Sequence, residues 1–394
     1  MKPEIAKLQA YPFQKLAQLK ANSRPPHELS AVSLSIGEPQ HPSPEFVLQT
    51  LRDNESLYGS YPATRGMQEL RHACAQWLQR RFSLHSVNAD TQVLPLAGTR
   101  EGLFSIAQCL IDSSFKPLVM MPNPFYQIYE GAALLAGAEP LLMNAEAANG
   151  YFPDLDSIKP EQWQRCAMLY VCSPGNPTGA VCSMDYYIQL IKLAQRHNFV
   201  IVSDECYSEI YFSEPPVGLL QACQQLGNTE YSHCLVMNSL SKRSNLAGLR
   251  SGFVAGDAQL LEKYLLYRTY QGSTLPVPVQ LASAAAWSDE QHVQENRGSY
   301  VRKFELADSI LAPCWTIPMP DATFFLWAPT PIDDEEFTRR LFEASNVTVL
   351  PGSYLSRETE QGNPGANHVR MALVADEQQC AEALQRIADF VQNL

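Results

Sequence analysis

The strongest constraint on the fold is an alternation of short apolar runs with helical patterns through the middle of the chain. Five runs are mostly apolar and bounded by turn residues, which is typical of buried strands: VLPL (93–96), LVMM (118–121), MLYVC (168–172), FVIVS (199–203) and LVMN (235–238). Helical patterns separate most of them, for example over residues 99–110 and 185–198. This order predicts an α/β domain with a mostly parallel sheet covered by helices on both faces.

The order of elements changes after about residue 288 and predicts a second, smaller domain. The later elements are a long polar helix, FFLWA (324–328), a helix from Asp333, VTVL (347–350), HVRMAL (368–373) and a final helix. A chain of 394 residues is longer than one hydrophobic core usually serves. We therefore expect an N-terminal arm with the start of the small domain (1–44), a large domain (45–288) and a C-terminal α+β domain (289–394).

The overall charge and the cysteines exclude several classes of partner. A formal net charge of −12 disfavours nucleic acids and anionic membranes, because few cations are free to neutralise phosphates. Ten cysteines at irregular positions predict small buried residues in a reducing compartment, with no disulfide framework and no zinc site. The first twenty residues lack the apolar stretch of a signal peptide or membrane helix, so we expect a cytoplasmic protein.

The histidines and glycines disfavour several other chemistries. None of the eight histidines lies in a metal-like or triad-like pattern with Cys, Asp or Ser, so we interpret them as core or surface residues. Neither G-x-G-x-x-G nor G-x-x-x-x-G-K-[ST] occurs, which disfavours nicotinamide cofactors and nucleoside triphosphates.

The segments that follow the predicted strands carry the polar residues that chemistry would need. Ligands of open α/β sheets bind at the carboxyl ends of the strands, and these segments are AGTRE (97–101), PNPFY (122–126), SPGNPTG (173–179), DECY (204–207) and SLSKRSN (239–245). Partial burial and nearby cations would let Lys242 lose a proton and form an imine, although a solvated lysine is the alternative. Asp204 leaves a buried strand and needs a partner, either a protonated pyridine nitrogen, a helix N-terminus or a structural ion pair. The Tyr207 hydroxyl either donates a hydrogen bond to an oxygen on the same pyridine ring, or Tyr207 is an ordinary core tyrosine.

Other polar residues are candidates for binding anions. Residues 97–100 open a helix directly after a strand, so their free N–H groups could bind a phosphate. Ser239, Ser241 and Arg250 flank the lysine and would complete a phosphate cup; a helix cap and a surface arginine are the alternative.

Asn176 and Arg370 are two further candidates. Asn176 lies in a Gly-Asn-Pro turn that would fix the direction of its amide, or is part of a plain turn. Arg370, if it points inward from its predicted strand, requires an anion such as a substrate carboxylate.

In their order along the chain, YPATRG, AGTRE, NPFYQIYEG, SPGNPTG, SDECY, SLSKRSNLAGLRSG and HVR resemble the class I and II aminotransferases. The joint occurrence of S-x-S-K and G-x-R-x-G, with NPTG and D-x-x-Y upstream, is highly specific, and the resemblance spans nearly the whole chain. It implies the fold of pyridoxal 5'-phosphate (PLP) enzymes of fold type I, with a mixed, mostly parallel sheet in a large domain and a smaller α+β domain. It also implies PLP as the cofactor and a homodimer with shared active sites.

The resemblance further implies a role for each matching residue. Lys242 would carry PLP as a Schiff base and, with Asp204 and Tyr207, form the catalytic set. The implied cofactor-binding residues are Tyr61 (across the dimer interface), Gly98, Thr99, Arg100, Tyr126, Asn176, Asp204, Tyr207, Ser239, Ser241, Lys242 and Arg250. Gly37, Asn176 and Arg370 would hold the substrate α-carboxylate, and Arg100 a distal carboxylate. Either Tyr126 or its neighbour Phe125 would stack on the ring, and Ser251 departs from the small apolar residue usual after the arginine.

Within this family, YPFQKL, GTREGLF, NPFYQIYEGAALLAGAEP, DECYSEIYF, SLSKRSN and YRTYQGS resemble the succinyldiaminopimelate aminotransferases of bacterial lysine biosynthesis. This implies ping-pong transfer of an amino group from N-succinyl-L,L-2,6-diaminopimelate to 2-oxoglutarate. Aspartate, aromatic and kynurenine aminotransferases and PLP-dependent C–S lyases are alternatives within the superfamily. A PLP-sensing regulator is an alternative of another class and would need a DNA-binding segment.

Overall fold

A computed structural model of the chain describes residues 3–272 and 274–394. Within these ranges the α-helices are α1 (Pro12–Lys20), α2 (Glu45–Asp53), α3 (Gln68–Phe82), α4 (Thr99–Leu110), α5 (Ile128–Leu135), α6 (Pro160–Arg165), α7 (Met184–His197), α8 (Leu219–Gln225), α9 (Leu240–Arg243), α10 (Ala258–Gln271), α11 (Val277–Ser288), α12 (Gln291–Leu311), α13 (Asp334–Ser345) and α14 (Glu377–Gln392). The strands are β1 (Val32–Ser33), β2 (Val93–Leu96), β3 (Leu118–Asn123), β4 (Glu139–Asn144), β5 (Cys166–Cys172), β6 (Val200–Asp204), β7 (Cys234–Ser239), β8 (Gly252–Gly256), β9 (Phe325–Pro329), β10 (Val347–Thr348), β11 (Leu350–Pro351) and β12 (His368–Ala372).

A seven-stranded mixed sheet in the order β2-β8-β7-β6-β5-β3-β4 forms the centre of the molecule. Its strands run parallel except β8, which is antiparallel to both of its neighbours. Successive residues of a strand face opposite sides, and in β5 Leu169 and Val171 belong to one apolar core while Met168 and Tyr170 belong to the other. Burial of both faces explains the continuous apolar runs and confirms the predicted α/β fold class.

The five predicted strands of this sheet are confirmed, but β4 and β8 were not predicted. The β4 sequence EPLLMN begins with glutamate and proline and lies at the edge of the sheet, where one side needs no pairing. The β8 sequence GFVAG has a glycine at each end, which masks its strand character. A Cβ on Gly256 would lie 2.0 Å from the carbonyl oxygen of Cys234, so the close approach of β7 and β8 requires this glycine.

The later elements build a second core around a three-stranded antiparallel sheet, β11-β12-β9. The predicted strand VTVL is divided between two sheets, because β10 pairs in parallel with β1 while β11 joins β12. Val32 and Leu34 of the N-terminal segment are buried in this core together with residues of α12, α13 and α14. From this segregation of cores we propose domain limits near residues 44 and 288.

The architecture brings chemically useful residues to one edge of the large sheet. Cys172 pairs with Asp204 and Asp204 with Met237, so β5, β6 and β7 end at the same level. Strand β7 leads directly into α9, which carries Lys242. Among the described residues, no helix combines the length and the apolar character that crossing a bilayer requires.

Candidate active site

A cavity of about 490 Å³ lies at the carboxyl ends of β5, β6 and β7. Of the fourteen predicted site residues, twelve line it: Gly37, Thr99, Arg100, Tyr126, Asn176, Asp204, Tyr207, Ser239, Ser241, Lys242, Arg250 and Arg370. Gly98 lies beside Arg250 at its wall. The Tyr61 side chain is fully exposed on the surface and is not part of the cavity in a single protomer.

Lys242 reaches the cavity from the last turn of the short helix α9. The Ser239 side chain caps this helix by accepting a hydrogen bond from the Ser241 N–H. The Lys242 Nζ donates a hydrogen bond to the carbonyl oxygen of Gly37 and lies 5.2 Å from the centroid of the Phe324 ring. Burial lowers the pKa of the Lys242 amine to about 8, and the Arg370 guanidinium acts in the same direction. The amine is therefore far more available as a nucleophile and base than that of a solvated lysine.

Asp204 is a buried carboxylate at the end of β6. Its Oδ2 accepts a hydrogen bond of 2.8 Å from the Tyr129 hydroxyl, and its Oδ1 accepts one of 3.3 Å from the Cys206 N–H. Burial raises the pKa of the Asp204 carboxyl, and the hydrogen bonds from Cys206 and Tyr129 oppose the rise. In the described part of the chain no Arg, Lys or His forms an ion pair with it. A cationic ring nitrogen in the cavity would supply the missing charge.

One end of the cavity is shaped to hold a phosphate. Gly98 precedes α4 with a φ of 80°, and a Cβ there would lie 2.3 Å from the Arg250 Nη2. The Arg250 guanidinium donates to the carbonyl oxygen of Ala247 at 2.8 Å, next to the free N–H groups at the start of α4. The Ser239 and Ser241 hydroxyls are 2.9 Å apart at the same wall. A cation, two hydroxyls and a helix N-terminus together suit a dianionic phosphate.

Arg370 is a buried guanidinium whose hydrogen bonds go to neutral oxygens. Its Nη1 donates to the Asn176 Oδ1 at 2.8 Å and its Nη2 to the Ser35 carbonyl oxygen at 2.7 Å, while its Nε has no partner. No carboxylate pairs with it within residues 3–272 and 274–394. Burial lowers the pKa of the Arg370 guanidinium to about 10. Because the Asn176 oxygen is occupied, its NH₂ remains free to donate, and the pair suits a substrate carboxylate.

Arg100 at the rim of the cavity is a second cation that pairs with no carboxylate among the described residues. The Arg100 Nε donates to the Tyr126 hydroxyl at 2.7 Å, and its Nη2 donates to the Tyr11 hydroxyl at 3.3 Å. Tyr126 lines the cavity, whereas Phe125 is buried in the core behind it. The geometry thus favours Tyr126 over Phe125 as the aromatic residue at the ring.

The residues at this site that were not predicted include Tyr129, Cys206 and Glu38. Tyr129, three positions after Tyr126, is fully buried, stacks on Tyr170 at 4.5 Å and donates to Asp204. Cys206 and Glu38 line the cavity. The only sequence signal for them is proximity, since each lies within three positions of a predicted site residue.

The prediction that no histidine belongs to a triad-like cluster is wrong. The His292 Nδ1 lies 2.5 Å from the Asp289 Oδ1, and its Nε2 lies 2.8 Å from the Ser244 Oγ. The sequence hides this arrangement because Ser244 precedes His292 by 48 positions. Ser244 is completely buried and lies outside the cavity, and the cluster fastens the end of α9 to α12. Among the described residues no group of His, Cys, Asp and Glu could hold a metal ion.

Comparison with known proteins extends the similarity to the whole chain. The family described as Aminotransferase class I and II matches residues 30–387. A crystal structure of an aminotransferase from Neisseria meningitidis has a TM-score of 0.96 and 47% identity, covering 99% of this chain and 100% of that one. An LL-diaminopimelate aminotransferase from Dehalococcoides mccartyi is 30% identical over 98% of this chain and 97% of its own length. The structure of a probable N-succinyldiaminopimelate aminotransferase from Thermus thermophilus has a TM-score of 0.83 and 25% identity, with 96% and 99% covered.

The residues of the cavity fit PLP, the cofactor of this family. The phosphate cup, the amine of Lys242 and the unpaired carboxylate of Asp204 match the three polar features of PLP: its phosphate, its aldehyde and its ring nitrogen.

The pKa of Lys242 leads to a testable pH dependence. In PLP-free protein the rate of imine formation with added PLP should rise with pH and level off above about 8, because the amine must lose its proton before it attacks. At pH 7 about a tenth of the amines would be neutral, against roughly 3 in 10,000 at the ordinary lysine pKa. Stopped-flow absorbance measures this rate, with Lys242→Arg as the control without a reactive amine. A midpoint near 10 would contradict the assignment.

Replacing Tyr129 should weaken the binding of PLP. Tyr129→Phe keeps the ring stacked on Tyr170 but removes the donor to Asp204, and a hydrogen bond to a charged group contributes about 1.5 to 3 kcal/mol. This bond is also present without PLP, so only part of that contribution changes on binding. Because it lowers the pKa of the Asp204 carboxyl, its loss favours the neutral acid, and we expect the Kd for PLP, measured by fluorescence titration, to rise about threefold or more. Tyr170→Phe is the matched control, since its hydroxyl donates to the Leu103 carbonyl oxygen instead. Equal Kd values for wild type and Tyr129→Phe would show that this bond does not support Asp204.

Proposed function

This chain belongs to the class I and II aminotransferase family, and we propose that it moves the α-amino group of a diaminopimelate-type amino acid to a keto acid. Membership makes it a PLP-dependent aminotransferase. One observation carries the assignment of roles: a single cavity holds a lysine amine of lowered pKa, together with a buried carboxylate and a buried guanidinium that form no ion pair with any described residue. These three groups match what such a reaction must bind.

PLP, when bound, withdraws electrons from the substrate Cα and carries the amino group between the two substrates. The task of Asp204 is to keep the ring nitrogen protonated, and its two hydrogen-bond donors favour the carboxylate form that this requires. The Lys242 Nζ would take up the proton of the substrate Cα as general base. The Gly37 carbonyl oxygen accepts a hydrogen bond from the Lys242 Nζ and holds the lysine amine at the cavity wall. Arg370 and the Asn176 amide orient the α-carboxylate.

For the amino donor we propose N-succinyl-L,L-2,6-diaminopimelate, and for the acceptor 2-oxoglutarate. Both carry a distal carboxylate, and Arg100 is a cation at the rim without a carboxylate partner among the described residues. The similarity to the Thermus thermophilus protein supports the succinylated donor.

L,L-Diaminopimelate itself is a second candidate donor. The similarity to the Dehalococcoides mccartyi protein favours it. The two candidate donors differ at the distal nitrogen, which is a cationic amine in L,L-diaminopimelate and a neutral amide in the succinylated compound. The Glu38 carboxylate lines the cavity and would attract a cationic amine.

We also propose that the enzyme is a homodimer in which Tyr61 reaches the phosphate site of the partner. Tyr61 and Tyr270 are almost completely exposed in the single chain, and Tyr58 and Leu266 are more than half exposed. Leu266 and Tyr270 lie one turn apart on α10, and Tyr58 and Tyr61 are three positions apart in the chain; large exposed apolar side chains spaced in this way favour an interface.

A panel of amino donors tests the proposed substrate. With 2-oxoglutarate as acceptor, N-succinyl-L,L-diaminopimelate should give a kcat/KM at least about tenfold above those of aspartate, aromatic amino acids and kynurenine. The absorbance change to the pyridoxamine form reports each first half-reaction. A higher kcat/KM for L,L-diaminopimelate would replace the donor by the second candidate. Release of pyruvate from cystathionine without an acceptor would indicate a lyase.

Variants at Arg100 test the distal carboxylate site. Arg100→Gln should raise the KM of the dicarboxylate acceptor roughly tenfold or more, because it removes a charge-assisted contact of about 1.5 to 3 kcal/mol. Arg100→Lys keeps the charge and should lose less. Alanine, which has no distal carboxylate, serves as the internal control, and an equal effect on its KM would argue against this role of Arg100.

A further inference from the structure

The backbone at Lys242 is held by a side chain from a distant helix. The last carbonyl groups of a helix have no partner within it, and in the short helix α9 these include the carbonyls of Lys242 and Arg243. The Asn296 Nδ2, from α12, donates to both oxygens, at 3.2 Å and 3.3 Å. Asn296 is buried, so water does not readily replace it.

The direction of every hydrogen bond around Asn296 is fixed by chemistry. Carbonyl oxygens only accept, so the NH₂ group of Asn296 must face α9 and its Oδ1 must face the other way. That Oδ1 lies 2.9 Å from the His41 Nδ1 and accepts from the Asn245 Nδ2 at 3.0 Å. The His41 Nδ1 therefore carries a proton and donates to Asn296.

The other nitrogen of His41 faces a buried lysine. The His41 Nε2 lies 2.6 Å from the Nζ of Lys303, which also donates to the Leu373 carbonyl oxygen at 3.2 Å. An ammonium group can only donate, so the Nε2 accepts and His41 is neutral. Burial lowers the pKa of the His41 imidazole and the Lys303 charge lowers it further, against the hydrogen bond with Asn296. Three successive hydrogen bonds therefore have fixed directions: Lys303 donates to His41, His41 donates to Asn296, and Asn296 donates to the backbone of Lys242.

The same N-terminal segment contacts Lys242 at both of its ends. The Gly37 carbonyl oxygen accepts from the Lys242 Nζ, and His41, four positions later, acts on the Lys242 carbonyl through Asn296. We propose that His41 and Asn296 are positioning residues for Lys242: His41 orients Asn296, and Asn296 holds the backbone of α9 so that the amine stays directed at its partner in the cavity. This inference rests on the proposed role of Lys242 in the reaction.

A matched pair of variants at His41 tests this series of hydrogen bonds. His41→Asn places an amide N–H where the Nδ1–H lies and keeps the donor to Asn296, whereas His41→Gln places its amide on the Nε2 side and loses that donor. We expect His41→Gln and Asn296→Leu each to lower kcat roughly tenfold or more, as small displacements of reacting groups do, with KM within about twofold. His41→Asn should retain at least about half of kcat.

A second readout separates positioning from general damage. The rate of imine formation between PLP-free protein and PLP should fall by the same factor as kcat in His41→Gln and Asn296→Leu. The double variant should be no slower than either single one, because both act through one contact. Glu295→Gln is the control: the neighbouring residue on α12 is exposed, its hydrogen bonds are with Gln291 and Ser299 of the same helix, and its replacement should leave both rates unchanged. Melting temperatures of the PLP-free variants show whether each is folded.

Two results would overturn the inference. Equal losses in His41→Asn and His41→Gln would show that the donor to Asn296 is irrelevant, and so would a lower kcat with an unchanged rate of imine formation. If Asn296→Leu does not fold, the His41 pair alone decides the matter. Transamination by Lys242→Ala at the wild-type rate would instead refute the proposed role of Lys242, which keeps the two failures distinguishable.

Discussion

The chemistry of the site follows from one buried carboxylate that has no counter-ion among residues 3–272 and 274–394. Asp204 lies at the end of a central strand, loses its hydration there, and receives two hydrogen bonds but no cation from the described part of the chain. Burying such a charge costs several kcal/mol unless a partner completes it. Arg370 presents the complementary case, a buried guanidinium to which the described residues supply no anion. The site is therefore built for ligands that bring the missing charges: a cationic ring nitrogen and a carboxylate.

The fold explains why these groups can be held so firmly. Strands β5, β6 and β7 are buried on both faces, so their ends are fixed by packing on two cores. Lys242 follows β7 after only a short cap, and its backbone is tied to α12 by Asn296. Arg370 lies on β12 of the three-stranded sheet, and at the cavity it donates a hydrogen bond to Asn176. The two cores thus share one site, and movement of either would alter the distance between the amine and the carboxylate-binding guanidinium.

The sequence was most informative where local chemistry determines structure. Buried parallel strands need continuous apolar runs, and ligand-binding residues follow their carboxyl ends, so five strands and most of the cavity residues could be predicted from the chain alone. Strand β8 escaped prediction because its glycines reflect close strand packing. Tyr129, Asn296 and the His292 cluster escaped because their roles depend on tertiary contacts that no spacing in the chain encodes. Tyr61 remains a prediction, since its role requires a second protomer.

The role of Lys242 can be tested most directly by finding which residue binds the cofactor covalently. Enzyme saturated with PLP would be reduced with borohydride, digested and analysed by mass spectrometry. We expect one pyridoxyl group per chain, on the peptide that contains Lys242, and its loss in Lys242→Ala. Stoichiometric labelling of a different lysine, with Lys242 unmodified, would contradict the central claim that the amine at 242 and the carboxylate at 204 hold the two ends of one ring.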